Sequence, residues 1–169
     1  MKIFPYYQKF PKSFKKKGKE IAGINKDAEV HHIGSTAVKG LGGKGIIDIM
    51  IGVGSWQGIE RLVAGLNRIG FNHIHPKERG KIFLSTQKES KLGDCHIHIV
   101  RRGSAAYRNF LAFRDYLRKY SKEAERYFAL KLFWYKQSKG KRAKYTQMKS
   151  KYIKEVLKKA RQEYAGAHY

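Results

Sequence analysis

An apolar run broken by a single carboxylate, Ile46 to Val53 (IIDIMIGV), constrains this chain more than any other stretch. Its Ile, Met and Val content is that of a strand buried in a sheet. Asp48 needs a reason to be there, because burying an ionised carboxylate is costly unless it is paired, hydrogen-bonded or bound to a metal. Either Asp48 lies on a half-exposed strand face or it faces a ligand. The preceding residues bear on that choice. A short β-prone run, Val30 to Ile33, turns sharply at Gly34-Ser35-Thr36 and passes through a glycine-rich stretch into the apolar run. A glycine turn lets backbone N–H groups approach phosphate oxygens closely, and Ser35 adds a hydroxyl donor. A carboxylate on the neighbouring strand can hold Mg²⁺ against the same phosphates.

Ile33-Gly34-Ser35 followed by Asp48-Ile49-Met50 resembles the pattern of polymerase-β-type nucleotidyltransferases, in which a hydrophobic-Gly-Ser turn precedes a strand carrying Asp-x-Asp or Asp-x-Glu. Here Met50 stands where the second acid would be. Two-metal catalysis normally draws on several carboxylates, so the substitution weighs on metal binding by Asp48.

Around this centre the pattern predicts one α+β domain over residues 1–169, a mixed sheet in the first hundred residues followed by a helical C-terminal layer. Residues 1–12 read as an extended N-terminal arm and Ser13 to Ile24 as a helix with Lys15-Lys16-Lys17 on its wet face. Ser55 is placed to N-cap a helix running to about Asn67, ended by Gly70. Phe71–Ile74, Lys81–Thr86 and Asp94–Val100 are strand candidates. Ala105–Tyr120, Lys122–Gln137 with Ser121 as N-cap, and Lys144–Ala165 read as helices.

Charge narrows the partners. Lys plus Arg number 37 against 13 Asp plus Glu, a formal net charge of +24. Residues 1–26 hold 8 bases and 1 acid, residues 27–100 hold 9 and 7, and residues 101–169 hold 20 and 5. The centre is nearly neutral and both ends are basic. This predicts attraction to polyanions such as nucleotides or RNA, against the bland reading of a solvated lysine-rich surface. No apolar run reaches the roughly 18 residues of a membrane span, and Met1-Lys2-Ile3-Phe4-Pro5 leads into no signal-like core, so a cytoplasmic address is expected. Cys95 is the only cysteine, which excludes an internal disulfide and a cysteine zinc site.

Other residues carry chemistry by their spacing. His96 and His98 alternate on one strand and project from one face. Beside Asp48's strand they would form a metal set, or a general base with a phosphate binder; otherwise they are satisfied strand histidines. Arg114 and Arg118 share a helix face that the spacing denies to Asp115. Their guanidinium forks match phosphate oxygens, and Lys131, Arg142 and Lys149 would join them if the C-terminal helices pack across the sheet. The many aromatics of the basic C-terminal part fit either an RNA-stacking surface or a core, and their helical spacing favours the core.

Four segments together resemble the GrpB family, placed in the nucleotidyltransferase superfamily: His32-Ile33-Gly34-Ser35-Thr36-Ala37-Val38; Lys44 with Ile46-Ile47-Asp48-Ile49; His96-Ile97-His98-Ile99-Val100; and Phe113-Arg114-Asp115-Tyr116-Leu117-Arg118 with Tyr127 and Lys131. Arg142, Tyr145 and Lys149 continue the family's last helix. His31, Lys39, Gly45 and Met50 depart from its usual residues. The resemblance implies a nucleotidyltransferase-like mixed sheet and transfer of a nucleotidyl group from a nucleoside triphosphate to an acceptor. Gly34, Ser35, Thr36, Lys44, Arg114, Arg118, Lys131, Arg142 and Lys149 would bind phosphate, and Asp48, His96 and His98 would be the catalytic and metal residues, with Mg²⁺ or Mn²⁺. The alternative is a non-catalytic nucleotide- or RNA-binding module with a degraded metal site.

Overall fold

The computed structural model describes residues 2–75, 80–87 and 91–164. The chain runs α1 (Lys9–Ile24), β1 (Glu29–Ile33), a 3-10 turn (Ser35–Ala37), β2 (Ile47–Val53), α2 (Ile59–Arg68), β3 (His73–Ile74), β4 (Lys81–Ser85), β5 (Cys95–Arg101), α3 (Ala105–Lys119), α4 (Ser121–Gln137) and α5 (Arg142–Glu163). The strands form one mixed sheet in the order β1-β2-β5-β4-β3. β2 and β5 are parallel neighbours at its centre, while β1 pairs β2, β4 pairs β5 and β3 pairs β4 antiparallel. The expected mixed sheet followed by helices is the observed architecture.

Strand alternation sorts the two faces. Ile47, Ile49, Ile51, Cys95, Ile97 and Ile99 point to one face, where Phe10 and Ile21 of α1 and Leu62 and Leu66 of α2 cover them. Ile49, Ile51, Ile97 and Ile99 are each 0% exposed, and such burial stabilises by about 1.5–3 kcal/mol per side chain. Asp48, Met50, His96, His98 and Val100 point the other way. There Ile33, Met50 and Val100 pack on Tyr107 and Leu111 of α3. Beyond them α3, α4 and α5 share a second core of Leu117, Tyr127, Trp134, Tyr145, Tyr152 and Val156. Most C-terminal aromatics are therefore core, as their spacing favoured.

Some boundaries differ from the sequence reading. α1 begins at Lys9, inside the expected arm, because Pro11 falls in the first turn, where its missing N–H costs nothing, and Phe10 is already buried. α2 begins only at Ile59: Gly58 is its N-cap at φ +73°, and the Ser55 hydroxyl closes a local turn by accepting from Gln57 N at 3.2 Å. Ser121 is the first residue of α4, and Tyr120 stands at the cap. The predicted end of the last helix, Ala165, lies outside the described residues.

Candidate anion site beside Asp48

Register brings the sequence-singled acid and histidines together. In the parallel β2–β5 pair Asp48 lies opposite His96, and His98 is two residues along the same face. His96 Nδ1 is 3.3 Å and His98 Nε2 3.8 Å from Asp48 Oδ1. Burial opposes ionisation of Asp48, but hydrogen bonding to His96 and then to His98 outweighs it and holds the carboxyl well below the usual range. The Asp48 side chain keeps 26% of its exposure, so it is held and still reachable.

Both imidazoles address the same carboxylate oxygen. Among the described residues no group of three or more His, Cys, Asp and Glu side chains is arranged to hold a metal ion. Met50, at the position of the missing second acid, is 0% exposed and sealed under α3. The donor set is thus one acid with two imidazoles on the same carboxylate oxygen, at 3.3 and 3.8 Å.

The glycine turn abuts the acid. Gly34 has φ +70°, and a Cβ built on it would stand 2.3 Å from Asp48 Oδ2. Only glycine lets the turn meet the carboxylate. Ser35 follows, half-buried. Thr36 faces inward instead: its hydroxyl donates to Ile46 O at 3.1 Å and lies 3.0 Å from His32 Nε2. His32 stacks on Phe14 with centroids 4.5 Å apart. Thr36 therefore pins the turn to the residue that leads into β2, and Ser35 is the hydroxyl that stands with Lys131 beside Gly43.

Cations gather opposite. Lys131, on α4, is 3% exposed and donates from Nζ to Gly42 O at 2.9 Å. Its ammonium lies 4.3 Å from the Tyr127 ring centroid, one helical turn back. A Cβ on Gly43 would meet Ser35 Oγ at 2.5 Å and Lys131 Nζ at 3.1 Å, so Ser35 and Lys131 flank one point above that glycine. Burial, reinforced by the charges of Lys149 and Lys44 and opposed by Asp48, pushes the Lys131 pKa well below its ordinary value. Burial also lowers Lys44 to about 8, with Lys149 and Arg142 adding and Asp48 opposing. Lys44 lies 5.1 Å from the Tyr145 ring centroid. Among the described residues, Lys44, Lys131, Lys149 and Arg142 make no ion pair. Lys44 and Lys131 each feel Asp48, while Lys149 and Arg142 add like charge beside Lys44, so positive charge exceeds negative here and an anion would balance it.

Arg114 and Arg118 do something else. Arg114 grips Asp115 with Nε at 2.7 Å and Nη2 at 2.8 Å, and donates to His32 O at 3.2 Å. Arg118 donates from Nε to Ala37 O at 3.0 Å, and its Nη1 is 3.5 Å from Asp115 Oδ1. Asp115 therefore serves both arginines: Arg118 is its i+3 neighbour on the helix, and Arg114, one residue before it, reaches round to it. The pair latches α3 to the two ends of the Gly-Ser turn.

Sequence reasoning missed Phe83 and His75. Phe83 is sandwiched between His75, with centroids 4.3 Å apart, and His98, at 4.8 Å. The signal was available, since Phe83 lies opposite His98 in the β4–β5 register. Surface clefts of about 300 and 510 Å³ open at the far end of β2 and β5, beside Gly54 and Arg102, away from Asp48. Arg102 there is neutralised by Glu29 at 3.3 Å.

Comparison with known proteins accords with this geometry. The family model described as GrpB protein matches residues 1–159. A UPF0157 protein of Streptomyces coelicolor is 36% identical over 95 residues, covering 56% of this chain and 48% of that relative. The match thus spans about half of that relative's length. A UPF0157 protein of Halalkalibacterium halodurans is 27% identical over 163 residues, covering 94% of this chain and 81% of the relative. Among solved structures, the conserved protein GrpB from Enterococcus faecalis superposes with a TM-score of 0.84 at 26% identity, covering 96% of this chain and 99% of that one. The Cid1 poly(U) polymerase bound to MgGTP superposes at 0.54 with 19% identity, covering 78% of this chain and 44% of that one. The latter likeness is one of fold: this chain has a nucleotidyltransferase-like fold. Among the described residues no helix is long and apolar enough to cross a membrane.

Proposed function

The chain belongs to the GrpB protein family, and on that premise we propose that it binds the phosphates of a nucleoside triphosphate, or of a similarly phosphate-rich small molecule. The anion sits where the Gly34-Ser35 turn faces Lys131, Lys44 and Lys149, with Arg142 at the rim. One observation carries this reading. Lys131 is buried without an ion-pair partner among the described residues, beside Ser35 and two further lysines. Burial disfavours the charged form of these lysines until an anion stands beside them, so anion binding and their protonation reinforce each other. Binding then rests on lysines and a hydroxyl, with Asp48 restrained by its two imidazoles on the far side.

A second reading, nucleotidyl transfer from the triphosphate to an acceptor, is favoured by a different observation. Asp48 is ionised, a quarter exposed and flanked by two imidazoles, at 3.3 and 3.8 Å, beside the turn. Asp48 with His96 or His98 can accept the proton of an attacking hydroxyl. Lys44 and Lys131 can then neutralise charge on departing pyrophosphate.

A thermal-shift titration with ATP, CTP, GTP and UTP, each with Mg²⁺, Mn²⁺ or a chelator, separates the readings. A ligand at a hundred times its dissociation constant stabilises by about 2.7 kcal/mol. The binding reading expects stabilisation in chelator that survives Asp48→Asn. Stabilisation only with metal, lost in Asp48→Asn, would overturn it. Pyrophosphate release by the wild type, abolished in Asp48→Asn, would establish transfer.

A further inference from the structure

Phe133 is 51% exposed on α4 and Leu132 40%, although the same helix buries Tyr127 and Trp134. An exposed phenyl ring on a soluble helix has no packing reason to be there, and its surroundings are basic. Arg126, two turns before Phe133 on the same helix face, has a side chain 62% exposed. Lys136 follows Phe133 by one turn and is exposed. α5 packs antiparallel on α4: Glu123 at the start of α4 meets Lys159 near the end of α5 at 2.9 Å. Both helices turn their apolar stripes inward, so their solvent faces adjoin.

On that face of α5 lie Lys144, Lys151 and Lys158, all exposed. A seven-residue spacing keeps them on one side of the helix, about 10 Å apart along the axis. Among the described residues none of them, nor Lys136, forms an ion pair, whereas Lys119 and Lys159 do. The four lysines are unpaired and extended along the two helices, with Glu155 as the one acid between Lys151 and Lys158, and an aromatic ring stands beside them. A simple solvated face explains the lysines but not Phe133. A membrane-binding face would need a broad apolar stripe, and the outer side of α5 has none.

We propose that the outer face of α4 and α5 binds single-stranded nucleic acid, with an unpaired base stacked on Phe133 and the backbone phosphates following Lys136, Lys144, Lys151 and Lys158. Base–aromatic stacking with a basic track is the chemistry by which such strands are held without a sequence code. This surface points away from Asp48 and does not depend on the anion site beside it.

Fluorescence anisotropy of the full chain with a labelled, mixed-sequence RNA of about twelve nucleotides, single-stranded or annealed, tests this. Parallel arms use single-stranded DNA, anionic vesicles and an acidic peptide. Single strands, RNA and DNA alike, should bind at least tenfold more tightly than the duplex. Phe133→Ala should weaken single-strand binding about tenfold while leaving duplex binding unchanged. Lys144→Glu with Lys151→Glu should flatten the plot of log affinity against log salt by about 1.4. Both changes are on the surface, and unchanged circular dichroism and melting temperature would establish that the variants fold. Equal affinity for single strand and duplex, indifference to Phe133→Ala, or tighter binding to vesicles or peptide would each overturn the proposal. Excess ATP, which addresses the Asp48 site, should leave the RNA titration unchanged.

Discussion

Gly34 and Asp48 touch: a methyl group in place of the glycine hydrogen would stand 2.3 Å from the carboxylate oxygen, on a backbone already at φ +70°. The turn and the acid are thus one unit. Gly34→Ala should cost about 1–3 kcal/mol of stability, from left-handed strain together with the collision. It should also push the turn away from Asp48 and weaken triphosphate binding. Urea unfolding monitored with and without ATP measures both effects in one experiment.

Arg114 and Arg118 are latches, and their loss should be felt as stability. Arg114→Ala breaks the bond to His32 O and leaves Asp115 short of its main partner. Bonds to charged groups of this kind contribute about 1.5–3 kcal/mol. Chemical denaturation should show a loss of that size, and saturating ATP should still bind to the folded fraction. A large loss of affinity with unchanged stability would return Arg114 to the anion site.

Much of this site is legible in the sequence, and the reasons are local. The sharp Gly34-Ser35 turn, the lone Asp48 and the alternating His96 and His98 are period-two and turn signals that survive folding unchanged. Their convergence needed the parallel β2–β5 register, which no local pattern specifies. The internal partners of Arg114 and Arg118 were hidden for a related reason. Helix spacing puts them on one face but cannot say that His32 O and Ala37 O lie beneath that face, more than eighty residues back in the chain. The Ser55 cap failed because Gly58 reaches a left-handed conformation that a serine cap does not need.

His32 makes the fold acid-sensitive. Burial lowers its pKa from 6.5 to about 4, with Asp48 opposing and Arg118 and Arg114 adding. Between those two values the unfolded chain binds the proton and the folded one does not, so stability falls as pH drops from 6.5 towards 4. The loss should reach roughly 2–3 kcal/mol. Urea midpoints at pH 7 and pH 4.5 should differ accordingly, and most of the difference should vanish in His32→Gln.

Lys44 sets the alkaline limit of binding. Its pKa of about 8, against 10.5 when unhindered, leaves it increasingly neutral above pH 8. Affinity for a labelled triphosphate should fall between pH 8 and pH 10. Stability runs the other way in that window, because the unfolded chain stays protonated while the folded one sheds its charge. Lys44→Met should flatten the affinity profile.

Whether Lys131 and its neighbours hold phosphate can be read by calorimetric titration of ATP into wild type and Lys131→Met, both in chelator. The substitution removes a buried amine while keeping an unbranched apolar stem, so the protein should stay folded with stability within about 1–2 kcal/mol of wild type. Wild type should show saturable metal-independent binding, weakened at least tenfold in Lys131→Met. Equal binding by the two proteins, or no binding by wild type without Mg²⁺ or Mn²⁺, would contradict phosphate binding there.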